Sequence, residues 1–135
     1  MFKRDGEVQY LLLHYEAGHW DYVKGQVEPH ETEKATVVRE LHEETGITDA
    51  RFIEGFREEI SYFYRREAKT VYKEVIFFLI ESKESSVRLS YEHVGYEWLT
   101  YDKAMSRLTF PNAKKVLAKA HEFLRKHEKN QTGQA

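Results

Sequence analysis

Apolar positions along the chain fall into runs of two kinds, continuous and periodic. "VQYLLLHY" (8–15) is nearly unbroken and reads as a buried strand. "RFIEGFREEISYFYRR" (51–66) alternates in its second half at Ile60, Tyr62 and Tyr64, as a strand or hairpin arm does. "KTVYKEVIFFLIES" (69–82) ends in a continuous apolar stretch and is therefore a central strand, and "GYEWLT" (95–100) is a short one. The spacing turns helical from Thr32 to Thr45, with Thr32 as N-cap and Gly46 as the terminator just past the last turn. "DKAMSRLT" gives a short helix, and "PNAKKVLAKAHEFLRKHE" (111–128) sets Val116, Leu117, Ala120 and Leu124 on one face. Residues 18–31 lack periodicity and form an irregular loop, and "EKNQTGQA" at the end is expected to fray. Interleaved strands and helices predict a single domain over residues 1–129, an α/β sandwich with a mixed sheet, followed by a disordered tail at 130–135.

Composition narrows the chemistry. The 135 residues are enough for a real core, and 41% hydrophobic with 14% aromatic side chains is an ordinary globular balance. A net charge of −2 without any basic run makes a nucleic-acid partner unlikely and gives no pull toward an anionic membrane. An anionic substrate must then be held by local cations or metals. The absence of cysteine excludes disulfides, thiolate metal sites and thiol catalysis, and the histidines show no zinc-ligand spacing. With no apolar run long enough to span a bilayer and no signal-type segment at the start, the expected location is the cytoplasm.

One feature does not fit a plain solvated helix. At 100° per residue, Val37, Leu41, Thr45, Val38 and Ala35 gather on one side, while Glu40, Glu43 and Glu44 share an arc of about 100° on the other. Like charges one turn apart repel, and a solvated face would intersperse lysines; none occurs between Arg39 and Gly46. A divalent cation resolves the repulsion. Hard oxygen donors suit Mg²⁺, or Mn²⁺, and Mg²⁺ held by few carboxylates bridges to substrate phosphates.

These residues also carry a family resemblance. Gly25, then Glu31 after five residues, then Arg39-Glu40-Leu41-x-Glu43-Glu44-x-Gly46-Ile47 after seven more, fill every fixed position of the Nudix box. At roughly one chance in fifteen per fixed identity, such a coincidence arises on the order of once in 10⁸ placements. Beyond the box, "HWDYVKGQVEPHE", "EGFREEISYFY", "AKTV", "LSYEHVGYEWL" and "AHEFL" resemble the asymmetrical diadenosine tetraphosphate hydrolases over nearly the whole chain. The resemblance implies the Nudix α/β/α sandwich, Mg²⁺ dependence, and cleavage of a dinucleoside polyphosphate to a nucleoside triphosphate and a monophosphate. Three positions depart from the pattern. Val23 stands where Pro commonly precedes the Lys-Gly pair, and His30 where Gly commonly precedes the box Glu. The chain also begins inside the family's first strand, so that either the sheet lacks pairing there or Met1 is not the native start.

Roles follow residue by residue. Glu40 and Glu44, one turn apart on one face, are the first metal ligands; Glu43 ligates a second ion or accepts the proton of the attacking water. Arg39 and Glu31 form a supporting ion pair, beside the box glycine Gly25. The resemblance adds Glu92 at the metals, Lys24 and His19 on the substrate, Arg65 and Lys69 on the polyphosphate, and Tyr62 with Phe110 as a sandwich for adenine. His93, a lone histidine beside Glu92, is read as structural, or as a hydrogen-bond donor to it. The substrate is thus a small nucleotide, and the protein a monomer or weak dimer. Alternatives within the same chemistry are a nucleoside triphosphate or a triphosphorylated RNA 5′ end. A non-catalytic nucleotide sensor would be expected to lose box carboxylates, and here none is lost.

Overall fold

A computed structural model of the chain describes residues 1–23 and 29–133, of which residues 128–133 are described by backbone alone. The apolar run of residues 8–15 becomes the organising strand. Strand β1 (Phe2–Asp5) and β2 (Glu7–Tyr15) form a tight hairpin, and β2 also pairs antiparallel with β3 (Trp20–Asp21) and β6 (His93–Leu99). The start of the sheet is paired on both sides: Phe2 lies opposite Tyr10 of β2 and, in parallel, opposite Glu81 of β5 (Lys69–Glu81). That single parallel junction among antiparallel ladders makes the sheet mixed. Strand β4 (Arg51–Arg66) pairs with β5 and ends the order β3-β2-β1-β5-β4 at an edge.

The run in β2 is continuous because both faces of the strand are covered. Tyr10 and Leu12 pack with Leu108, Leu117, Ala120 and Leu124 beneath α2 (Tyr101–Arg107) and α3 (Pro111–Gly133). Leu11 and Leu13, pointing the other way, meet Leu41 and Ile47 at helix α1 (Glu33–Thr45). The helix face expected at 116, 117, 120 and 124 is the buried one, and α3 runs on to Gly133, through positions expected to fray. No helix among the described residues is long and apolar enough to cross a membrane.

Strand β4 is bent by a bulge. Its register with β5 slips between Phe52 and Arg57, and inside that slip Gly55 adopts φ 95°, where a Cβ would stand 3.2 Å from the Phe123 ring. Beyond Arg57, β4 and β5 continue as a two-stranded arm closed by Glu67 and Ala68, both at positive φ, the pattern of a type I′ turn.

Candidate active site

Helix α1 is fixed at both ends as its sequence requires. Thr32 Oγ1 accepts the amide of Ala35 at 3.1 Å, and Gly46, at φ 76°, donates its amide to the His42 carbonyl at 2.9 Å. The packing face is rotated from the apolar pattern, however. Thr36, Leu41, Glu44 and Thr45 are buried, whereas Ala35 and Val38, expected inside, are exposed. Glu44, only 6% exposed, therefore belongs to the packed side of the helix rather than to an outward acidic face.

A loop brings a second carboxylate to it. Between β5 and β6, Arg88 donates its amide to the Thr45 carbonyl at 2.8 Å and Ser90 to the Glu44 carbonyl at 3.3 Å, using carbonyls that the helix end leaves over. On the far side Glu16 donates its amide to the Glu92 carbonyl at 3.0 Å. So stitched, the segment places a carboxylate oxygen of Glu44, one of Glu92 and a ring nitrogen of His93 all within 4.8 Å of one another. His93 is 6% exposed; its Nδ1 meets Ser90 Oγ at 3.1 Å, and its buried Nε2 has no hydrogen-bond partner among the described residues. Burial lowers the His93 pKa, and His19 lowers it further while Glu92 opposes, so the imidazole is held toward its neutral, ligating form. Two carboxylates and an orphaned imidazole nitrogen fit a divalent cation, and the nitrogen donor is an addition to the all-oxygen set expected.

The other box residues frame this cluster. Arg39 binds Glu31 through two bonds, Nε–Oε2 at 2.7 Å and Nη2–Oε1 at 3.0 Å, and Thr36 Oγ1 donates to the same Glu31 at 2.7 Å. The remaining nitrogen, Arg39 Nη1, reaches Glu40 at 2.7 Å and Glu43 at 3.3 Å. Part of the acidic repulsion is thus relieved by Arg39 itself. Burial pushes the Tyr15 hydroxyl far up, and the charges of Glu44, Asp21, Glu92 and Glu40 each push it further. Glu43 stays exposed at the rim.

A run of rings leads outward from the cluster. His93 meets Tyr15 edge-on at 4.5 Å, Tyr15 stacks on His19 at 4.5 Å, and His19 tilts against Phe110 at 5.3 Å. His19 and Phe110 are therefore assembled with the carboxylates. Tyr15 and His93 are the residues that sequence reasoning missed in this role. For Tyr15 the signal was Gly18, whose positive φ lets Tyr15 accept the amide of Gly18 at 2.8 Å and donate its own to the His19 carbonyl at 2.9 Å. Tyr62 is not brought to Phe110. It lies on the β4–β5 arm with its ring 6.2 Å from Tyr64, and no ring contact joins it to Phe110 among the described residues. Arg65 and Lys69 flank the tip of that arm, where Arg65 Nη2 donates to the Ala68 carbonyl at 3.3 Å. Lys24 and Gly25 lie outside the described residues.

An α/β/α sandwich that gathers two carboxylates and an imidazole beside a capped acidic helix offers a site for a divalent cation. The NUDIX domain model matches residues 1–120, and the chain belongs to the NUDIX family. It is 42% identical over 123 residues to the asymmetrical bis(5′-nucleosyl)-tetraphosphatase of Rattus norvegicus, a match covering 87% of this chain and 81% of that one. Identity to the Sus scrofa protein of the same description is also 42%, with the same coverage. Among solved structures, a C. elegans Ap4A hydrolase binary complex superposes with a TM-score of 0.79 at 28% identity, covering 92% of each chain.

Proposed function

We propose that this Nudix hydrolase cleaves dinucleoside polyphosphates asymmetrically, converting diadenosine tetraphosphate and water to ATP and AMP. The observation that carries the reading is the continuity of the site: the ring run from Phe110 through His19 and Tyr15 ends at the cluster of Glu44, Glu92 and His93. A base held at the outer end leaves its phosphates to extend toward the carboxylates, and the distance between the two ends selects which phosphorus is attacked. Similarity to tetraphosphatases from several animals supports the same substrate.

Glu44, Glu92 and Glu40, with His93, would hold Mg²⁺ or Mn²⁺, which when bound supplies positive charge to the phosphate oxygens and acidity to a water. The chain's own groups do the rest. Arg39 holds Glu40 in place and is itself oriented by Glu31. Glu43, at the exposed rim, takes the proton of the attacking water or holds a second ion. Lys24, Arg65 and Lys69 serve the phosphates, and Tyr62 and Phe110 the adenine. The bond from water oxygen to phosphorus forms, one bridging P–O bond breaks, and the leaving phosphate carries off the electron pair.

Chromatography of the products of a Mg²⁺ reaction in ¹⁸O water tests this. ATP and AMP, with the label on one of them, are the expected result. Two molecules of ADP would overturn the asymmetric reading. Fast pyrophosphate release from a nucleoside triphosphate, with the dinucleotide untouched, would move the protein to the triphosphate branch of the family.

A further inference from the structure

Strand β4 closes the strand order of the sheet, so its outer edge carries backbone donors and acceptors that no described strand pairs. It is 16 residues long, against the usual five or six, and past the Gly55 bulge it keeps one unbroken register with β5 from Arg57 to Arg66. Glu59, Ser61 and Phe63 through Arg66 are exposed, and Phe63, at 70%, is among the most exposed large apolar side chains of the protein. Long flat edges of this kind are usually blunted by charge. Here the charges follow an order that does something else.

Residues 57–67 read Arg, Glu, Glu, Ile, Ser, Tyr, Phe, Tyr, Arg, Arg, Glu. Reversed about Tyr62, each charge meets its opposite. We propose that β4 pairs antiparallel with β4 of a second copy of this chain, about a twofold axis at Tyr62. Glu59 then lies opposite Arg65 of the other copy and Glu58 opposite Arg66, the last residue of the strand, and the twofold makes each pair again. Ile60 faces Tyr64, and the small Ser61 leaves room for the exposed Phe63 ring. Directly opposed unlike charges stabilise an antiparallel pair and like charges oppose it. The register is selected by the same rule. Slipping by two residues one way sets Arg57 against Arg65, and the other way it parts Glu59 from Arg65 and Glu58 from Arg66. Slipping by one sets Arg57 against Arg66 in one direction and, in either, turns each strand's side chains to the opposite face of its partner's.

The contacts these side chains make within one chain are compatible with the pairing. Glu58 holds Lys119 at 3.1 Å and Glu59 reaches Arg57 at 3.7 Å, both at the surface, while Arg65 donates to the Ala68 backbone carbonyl at 3.3 Å. Arg57 is committed to Glu33 through two bonds of 2.9 and 3.0 Å, so the inner pairs, Glu58–Arg66 and Glu59–Arg65, are the ones that set the register. A single strand pair falls short of the roughly 1,600 Å² of a standard interface, so the dimer is weak and depends on concentration.

Sedimentation velocity of the full chain across a wide concentration range tests the pairing. A reversible monomer–dimer equilibrium is expected. Glu59→Lys and Arg65→Glu should each abolish it, and the two together should restore it. Because the chain has no cysteine, Tyr62→Cys places one thiol beside its own twofold mate. Opposed Cα atoms at about 4.5–5.5 Å lie within disulfide reach, so this variant should oxidise rapidly to a covalent dimer. Tyr64→Cys, whose mate is Ile60, should not. A monomer at every concentration, a double variant that stays monomeric, or equal oxidation of the two cysteine variants would overturn the proposal.

Discussion

Arg39 and Glu31 are joined by two parallel N–H···O bonds, 2.7 and 3.0 Å long, that tie the middle of helix α1 to the residue just before its N-cap. The third nitrogen of the same guanidinium reaches Glu40, so one planar group fixes the entry to the helix and one of its carboxylates together. A lysine ammonium is a point charge and cannot hold both in one geometry. Arg39→Lys should therefore fold but bind its metal more weakly. Loss of a partner that orients a ligand typically costs 10–100-fold in metal affinity or activity. Mn²⁺ titration followed by electron paramagnetic resonance, beside kcat/KM at saturating Mg²⁺, measures it; unchanged affinity would remove Arg39 from this role.

The caps of α1 were legible from Thr32 and Gly46 because capping is local chemistry, decided within a few residues. The buried face of α3 was legible for a similar reason, being a simple repeat of apolar positions. The side of α1 that packs was misjudged at Val38 and Glu44, since a carboxylate enters the interior only where distant groups receive it. Those groups arrive on the loop carrying Ser90 and Glu92, stitched to the helix by backbone bonds that no periodicity encodes. His93 looked structural for the same reason: its sequence neighbours say nothing of Glu44, which stands beside it only in the fold. The start of the chain was read as strand only through the family resemblance, and the two-residue β3 was hidden because it lasts only as long as its pairing with β2.

Glu44 gives a prediction that separates fold from chemistry. Its carboxylate is buried beside that of Glu92, and two nearby negative charges raise the free energy of the metal-free protein. Glu44→Gln keeps the shape and removes one charge. The metal-free variant should melt at the same temperature as the parent or slightly higher, while activity falls by about 100-fold or more. Added Mg²⁺ should raise the melting temperature of the parent but hardly that of the variant, because only binding to the native state stabilises it. Parallel melting curves with and without the ion decide the matter.

His30, just before Glu31, has a φ of 66°, in the left-handed region that favours Gly. A side chain there costs on the order of 1–2 kcal/mol, and the extra freedom of Gly in the unfolded chain takes back part of the gain. His30→Gly should raise stability by about 0.5–1 kcal/mol, measured by urea denaturation with the m-value unchanged. A loss of stability would mean that the imidazole holds the turn by contacts that outweigh the backbone strain.

Tyr62 and Phe110, the two rings proposed for adenine, make no ring contact with each other among the described residues. Phe110 is 43% exposed and touches His19 at the outer end of the ring run, a position from which a base could stack without disturbing the core. Tyr62 lies half-buried on the arm against Tyr64, so closing a sandwich needs the base to bridge from one to the other. Stacking of one base on an aromatic ring is worth ~1–3 kcal/mol. Phe110→Ala should therefore raise KM for diadenosine tetraphosphate by roughly tenfold or more, with kcat and the melting temperature little changed. Tyr62→Ala should do the same if both rings hold one base. In the double variant the two effects should then fall short of adding, because a base released by one ring is no longer held well by the other. Fully additive effects would place the rings on different parts of the dinucleotide, and an unchanged KM for Tyr62→Ala beside a lowered melting temperature would make that tyrosine a packing residue of the arm.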